Sequence, residues 1–113
     1  MIKRISLVWK RRELSDSEFR RLWLGRHVEY AKQLPGLREY AIDFVKDAPR
    51  GAPSAIATLR FDSREALEKA FSIPHVKEGL LRTREQFAEV VQVVIVDEHV
   101  VVDRHSGTSN EQK

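Results

Sequence analysis

Cysteine is absent from this chain of 113 residues, and so is any long apolar run. Without thiols the protein can form no disulfide, hold no cysteine-ligated zinc and use no thiolate nucleophile. A membrane-spanning helix needs about 18 consecutive apolar residues, which the sequence does not supply. The first residues enter a strand-like pattern without the apolar core of a signal peptide, so we expect a cytoplasmic protein.

Motifs for nucleotides and metals are missing as well. The sequence contains no phosphate-binding loop, no G-x-G-x-x-G, no G-x-S-x-G and no histidine pair at zinc-ligand spacing. Twenty basic residues face seventeen acidic ones, and the resulting net charge of +3 is small for a nucleic-acid-binding protein. The basic residues Lys3, Arg4 and Lys10 to Arg12 are interpreted as a solvated strand edge. We predict no metal, no cofactor and no nucleic-acid partner.

What the sequence does contain is an ordered series of strand and helix patterns. Alternating or β-branched segments predict strands over residues 2–10, 37–46, 55–61 and 91–102. Ser15 and Glu18 form a capping-box sequence, and the helix after them carries one apolar stripe that includes His27. A second helix follows Asp62-Ser63, and a further helical stretch covers roughly residues 75–90. The apolar run 91–102 is typical of a strand that is buried on both faces.

The order β-α-β-β-α-β indicates an α+β fold of the ferredoxin-like type, with a four-stranded antiparallel sheet and helices on one face. Two helices can cover only one face of that sheet. The apolar strand residues exceed the room under the helices; they are Ile42, Phe44, Val45, Leu59, Phe61 and the valines of 93–102. We therefore predict a homodimer packed sheet to sheet. Residues 1–103 are assigned to this domain and 104–113 to a disordered polar tail.

Several separated stretches resemble the EthD family of dimeric α+β barrel proteins. They are Phe19-x-x-x-Trp23-x-x-x-His27 on the first helix, LPGL at 34–37 with Tyr40 after it, FDSREAL at 61–67 and VDEHV at 96–100. Together they extend the resemblance over residues 1–103. The resemblance implies the ferredoxin-like fold and the dimer that the strand and helix patterns also predict.

The resemblance further implies a small enzyme that needs no cofactor. EthD-like proteins accompany the degradation of ethers and aromatic compounds or serve in polyketide pathways. Their relatives, the methylmuconolactone methylisomerases, rearrange a lactone with a helix histidine and a strand tyrosine that match His27 and Tyr40. Those enzymes also use a histidine between the second and third strands, where this chain has DAPRGAPS at 47–54. The implied function is isomerase, decarboxylase or dehydratase chemistry on an aromatic, polyketide-like or lactone molecule in a catabolic or natural-product pathway.

The candidate catalytic residues are His27 and Tyr40. Imidazole titrates near neutral pH and suits a general acid/base, while the phenol suits a donor to a carbonyl or enolate oxygen. A histidine packed in the core and a cross-strand aromatic residue are the structural alternatives. The candidate substrate-binding residues, which would surround a flat hydrophobic ligand, are Trp9, Trp23, Phe44, Phe61, Phe87 and His99. Plain core packing, and for His99 a polar pair with Asp97, are their alternatives.

Two other functions stay open. The chain suits a non-catalytic binding or accessory protein for a hydrophobic small molecule, which would tolerate His27→Gln, whereas an enzyme would lose orders of magnitude in rate. It also suits a cofactor-free monooxygenase, as in other dimeric barrels of this type, which oxygen consumption with an electron-rich phenol would identify.

Overall fold

The computed structural model describes residues 1–104 of the chain. Its strands are β1 (Ile2–Lys10), β2 (Glu39–Phe44), β3 (Ala55–Phe61) and β4 (Ala88–Asp97). They form one antiparallel sheet in the order β2-β3-β1-β4. With the helices between them they make the predicted α+β ferredoxin-like fold, which is therefore confirmed. The predicted tail, apart from Arg104, lies outside the described residues.

The first helical region begins at the predicted capping box. Ser15 Oγ accepts the amide N–H of Glu18 at 3.1 Å, and Glu18 Oε1 accepts the amide N–H of Ser15 at 2.8 Å. The region consists of α1 (Asp16–Leu22), a segment Trp23–His27 and α2 (Val28–Ala31). Gly25 leaves the helical conformation, with φ −87° and ψ −119°. The helix is therefore kinked at a residue where the apolar stripe predicts continuity, and glycine is a common residue at such kinks.

The second helical region consists of α3 (Arg64–Ala70) and α4 (Pro74–Arg84). Ser63 begins α3 by accepting the amide N–H of Ala66 at its Oγ, at 3.1 Å. Pro74 occupies the start of α4, where its missing N–H leaves no helical hydrogen bond unmade. The predicted stretch to residue 90 is too long, because the chain from Ala88 onward pairs with β1.

The helices cover one face of the sheet, and the alternation of side chains decides which residues they bury. In β3 every second residue is buried, from Ala55 to Phe61. The core between helices and sheet has two parts, one around Phe19, Trp23 and Phe87 and the other around Phe61, Leu67 and Val76. The first part surrounds the candidate site.

The last strand differs from its prediction in position and in burial. β4 lies at an edge of the sheet beside β1 and ends at Asp97. Val90 and Val94 are 52% and 41% exposed, so the strand is not buried on both faces. An apolar run by itself does not distinguish a strand enclosed by two layers from an edge strand with an uncovered face.

The uncovered face of the sheet is apolar, but of the residues expected there only Val94 and Val96 contribute to it. Ile42, Phe44, Leu59 and Phe61 lie on the helix-covered face, since their parity in β2 and β3 places them there. The strand register instead gives the uncovered face the apolar residues Ile5, Leu7, Trp9, Ile56, Val90, Val94 and Val96. We call these seven residues the open-face patch.

Candidate functional site

A cavity of about 120 Å³ lies between the helices and the sheet. Four of the candidate residues line it: Trp23 and His27 from the kinked segment, Tyr40 from β2 and Phe87 from the turn before β4. The structure therefore brings the two candidate catalytic residues to one cavity, together with two aromatic side chains. The pocket wall and the first part of the core share these residues, as expected for so small a domain.

His27 is buried, and its contact with Thr83 decides its tautomer. Its Nδ1 lies 2.7 Å from Thr83 Oγ1, and the Thr83 hydroxyl donates to the carbonyl of Gly79 at 2.7 Å. Because the only hydroxyl proton of Thr83 is used on that carbonyl, the Thr83 oxygen accepts from His27, and Nδ1 carries the ring proton. In this tautomer Nε2 carries no proton and keeps its lone pair.

The surroundings of His27 favour the neutral imidazole. Burial lowers the pKa of His27 from 6.5 to about 4, and the guanidinium groups of Arg84 and Arg4 lower it too, while the backbone carbonyl of Leu80 acts in the opposite direction. At neutral pH the ring is uncharged. An uncharged ring with Nδ1–H and a free Nε2 can accept a proton at Nε2.

Tyr40 is held by the neighbouring indole. Trp23 Nε1 donates to Tyr40 Oη at 2.9 Å, so the phenol oxygen is an acceptor in this bond and its own proton stays available to another acceptor. Burial raises the pKa of Tyr40, which keeps the phenol protonated at neutral pH. Trp23 also stacks on Phe87, with ring centroids 4.9 Å apart, and the imidazole of His27 meets the Phe87 ring edge to face at 5.1 Å.

The other four candidate substrate-binding residues do not line the cavity. Trp9 has the parity of the open-face patch, and its indole donates to the carbonyl of Gly51 at 3.1 Å. Phe61 belongs to the second part of the core. Phe44 lines an outer groove instead, and His99 is exposed beyond the end of β4. Aromatic residue type therefore does not predict which cavity a side chain meets.

Three wall or support residues were missed from sequence: Arg4, Thr83 and Arg84. Arg4 is not a solvated strand-edge residue, because it shares the helix-covered face of β1 with Ser6 and lines the cavity. The alternation of β1, with Ile5 and Leu7 on the opposite face, was the signal that could have placed it. Nothing in the sequence around Thr83 indicates its contact with a histidine on another helix.

Tyr40 also borders a second, open groove on the protein surface. That groove is lined by Leu24, Val28, Lys32, Leu37, Tyr40, Ile42 and Phe44. Tyr40 is the residue that belongs to both linings. The phenol ring thus separates the inner cavity from a shallow apolar surface.

Within residues 1–104 no three histidine or acidic side chains come together as a metal-ligand set. In the same part of the chain no helix has the length and apolar character that crossing a bilayer requires.

The sequence matches no protein-family model and no curated protein. The fold, in contrast, matches solved structures along most of the chain. An EthD family protein from Bacillus halodurans has a TM-score of 0.71 at 20% identity, over 88% of this chain and 99% of that one. This chain shares the ferredoxin-like fold of that EthD family protein. The resemblance seen in the sequence is confirmed at that level.

Two further structures extend the comparison. A dimeric ferredoxin-like protein of unknown function from Thermobifida fusca has a TM-score of 0.66 at 13% identity, over 84% of this chain and 88% of that one. SnoaB from Streptomyces nogalater, a cofactor-independent oxygenase, has a TM-score of 0.67 at 13% identity, over 89% and 95% of the two chains. Solved structures with this fold thus include an oxygenase and a protein of unknown function, so the reaction has to be argued from the cavity.

Proposed function

We propose that this protein is a small enzyme that transfers a proton on an organic molecule held in the cavity, without a cofactor. His27 is its general acid/base, and Tyr40 donates a hydrogen bond to the substrate oxygen. One observation carries the proposal: a single cavity is lined by a neutral imidazole with a free Nε2 and by a phenol whose proton is unused. The substrate is an aromatic, polyketide-like or lactone molecule.

The chemistry follows from the two groups. Nε2 of His27 takes a proton from a carbon next to a carbonyl group, and the electron pair of the C–H bond moves onto the carbonyl oxygen, which Tyr40 stabilises. Return of the proton to another carbon completes an isomerisation. Loss of the β-hydroxyl group from the enolate, which leaves as water with the proton held by His27, gives a dehydration. Loss of carbon dioxide from a β-keto carboxylate leaves an enolate that Tyr40 stabilises, and uptake of a proton from solvent completes a decarboxylation.

Arg4 and Arg84 give this scheme an electrostatic basis. Their charges lower the pKa of His27 in the empty cavity, where a protonated ring would face two cations. In the enolate state the same two cations face a negative oxygen, and the histidinium has an opposite charge nearby. The cavity therefore stabilises the charge-separated state of the reaction more than it stabilises a protonated ring alone.

Exchange of substrate protons with solvent tests the proposal. A panel of cyclic ketones, lactones and β-keto acids is incubated with the protein in D₂O, and NMR follows exchange or conversion of each compound. We expect conversion of at least one compound, a loss of about 100-fold or more in His27→Gln, and a smaller loss in Tyr40→Phe. His75→Gln is the matched control, because His75 is exposed and its Nε2 hydrogen-bonds the side chain of Gln33 at 3.2 Å, outside the cavity lining. A folded His27→Gln protein with full turnover would exclude the mechanism.

The fold shared with a cofactor-independent oxygenase supports a second assay. Oxygen uptake with an electron-rich phenol, and no proton exchange in the panel, would assign the cavity to a cofactor-free monooxygenase. Saturable binding with neither activity would assign it to a binding or accessory protein.

We also propose that two copies associate through the open-face patch. Adjacent strands bring its apolar side chains together, and an apolar area of this kind is unfavourable in water. The dimeric state of the Thermobifida fusca protein with this fold supports the proposal.

A further inference from the structure

The cavity wall carries positive charge without a compensating carboxylate. Arg4, Lys77 and Arg84 are among its lining residues, while no aspartate or glutamate of residues 1–104 is. These three side chains come from two elements, β1 and α4, so the charge is not a feature of one helix or one strand. The rest of the wall is mostly apolar and aromatic.

Several arginines elsewhere in the chain have acidic partners. Arg38 pairs with Asp62 at 2.9 Å through two hydrogen bonds, and Arg60 pairs with Glu39 at 3.0 Å. The chain therefore has acidic side chains that can neutralise a guanidinium, and within residues 1–104 none of them forms an ion pair with Arg4 or Arg84.

Arg4 shows this lack of an acidic partner most clearly. Its guanidinium lies over the ring of Phe71, 4.6 Å from the centroid, and donates only to Ser6 Oγ at 3.3 Å. It has no ion pair within residues 1–104. Burial lowers the pKa of Arg4, and the nearby Arg84 lowers it further, so the two cations repel each other in the empty cavity. A partly buried guanidinium with unused donors is a costly arrangement that an anion would relieve.

We infer that the ligand of this cavity is a small aromatic carboxylate, whose anionic group is bound by Arg4 and Arg84 and whose ring lies against Trp23 and Phe87. The inference names the substrate class of the proposed function and rests on the cavity as its site. A planar guanidinium matches a carboxylate through two parallel hydrogen bonds. The apolar part of the wall suits the flat ring.

The negative charge of the ligand also changes the pKa of His27. His27 faces Arg84 and the Leu80 carbonyl from α4 and Arg4 from β1. A carboxylate on the two arginines offsets the charges that disfavour histidinium, so the pKa of His27 rises when the anion binds. In the free enzyme His27 is thus a weak base, and binding of the anionic ligand makes it a stronger base.

Comparison of the affinities for a charged and a neutral ring compound of the same shape tests the inference. Isothermal titration compares benzoate with benzamide on the wild-type protein. Because charge-assisted hydrogen bonds are stronger than neutral ones, we expect benzoate to bind about tenfold or more tightly. Arg4→Gln/Arg84→Gln should lose that preference, and Arg84→Gln alone gives the same comparison should the double variant not fold. Arg12→Gln, at an exposed position, is the matched control and should keep the preference.

The outcomes separate this inference from the proposed function. Equal affinity for both compounds, no saturable benzoate binding in the millimolar range, or an unchanged preference in Arg84→Gln and the double variant would overturn it. His27→Gln should still prefer benzoate. Selective binding of benzoate without any proton exchange would support the anion site and exclude the catalytic role of His27. Proton exchange without a preference for benzoate would support the catalytic role of His27 and exclude the anion site.

Discussion

The indole of Trp23 and the phenol of Tyr40 are joined by a hydrogen bond of 2.9 Å, from Nε1 to Oη. The bond links the kinked helical segment to β2 on the wall of the cavity. It also orients the phenol, because the oxygen accepts from the helix side and is left to donate elsewhere. The position of a candidate catalytic group therefore depends on a core tryptophan.

A double-mutant cycle on this pair is expected to show coupling. Tyr40→Phe leaves a buried indole N–H without a partner, so we expect the free energy of unfolding to fall by about 1–3 kcal/mol. Trp23→Phe removes the donor and also some packing. The double variant should be more stable than the sum of the two losses predicts, by about 1 kcal/mol in urea titrations. Strictly additive losses would show that the bond contributes nothing.

Acidification is expected to destabilise the protein between pH 6.5 and about 4 through His27. In this window the unfolded chain binds a proton on the histidine, and the folded protein does not. The stability contributed by the neutral ring is thus present above pH 6.5 and is lost as the pH falls to about 4. The shift from 6.5 to about 4 corresponds to about 3 kcal/mol at most.

Urea unfolding near pH 7 and near pH 4 measures this effect. His27→Gln should show a smaller fall than the wild type, while His75→Gln should show the same fall. An NMR titration of the His27 ring should place its pKa well below 6.5. A wild-type-like fall in His27→Gln would assign the acid sensitivity to other groups.

Removal of the Thr83 hydroxyl is expected to make His27 a less effective general base, although Thr83 itself contacts no substrate. In Thr83→Val the Nδ1–H loses its acceptor, so the ring tautomer and orientation are no longer fixed. We expect turnover to fall by about tenfold and the ¹⁵N shifts of the ring to show mixed tautomers. Thr83→Ser, which keeps the hydroxyl, should restore both. Mixed tautomers with unchanged turnover would remove Thr83 from the mechanism.

Gly79 is expected to tolerate no side chain, because the ring of Tyr30 lies against it. A Cβ at this position would lie 2.3 Å from Tyr30 Cε1. We expect Gly79→Ala to reduce the free energy of unfolding by about 1–3 kcal/mol through overpacking. In a Tyr30→Ala background the same change should be neutral or stabilising, since alanine favours a helix over glycine. An equal loss of unfolding free energy in both backgrounds would show that contact with the Tyr30 ring is not its cause.

Sedimentation tests the dimer. The wild type should sediment at micromolar concentration with twice the 13.1 kDa mass of the chain. Leu7→Arg, in the open-face patch, should shift it toward the monomer, because a buried unpaired charge opposes association. Leu24→Arg, at an exposed residue on the helix side, is the control. A wild-type monomer under these conditions would contradict the association through the sheet.

Local signals made much of the fold predictable. The capping box at Ser15 and Glu18 and the strand 55–61 were predicted where the structure has them, since short-range hydrogen bonds and side-chain alternation determine both. The kink at Gly25 was not, because a lone glycine inside an apolar stripe is equally compatible with a straight helix. The exposure of β4 depends on which strand lies at the edge, and this is a property of the whole sheet.

The candidate site was predictable only in part. The helix stripe and the family resemblance pointed to His27 and Tyr40, and the structure places both on one cavity. His27 is also bonded as a structural histidine would be, to Thr83, so the two interpretations are not exclusive. Arg84 and Thr83 were not predicted, because their place in the site depends on contacts between α4 and the kinked segment. No sequence spacing indicates such contacts.

The overlap between the cavity wall and the core has an evolutionary consequence. Trp23, Phe87 and Val8 are among the most buried side chains of the domain, and all three line the cavity. A change of substrate through these positions is also a change in folding stability, so adaptation to a new ligand is confined to variants that the domain can still fold. Ligand specificity can change while the fold is preserved through substitutions at the less buried positions Arg4, Lys77 and Arg84.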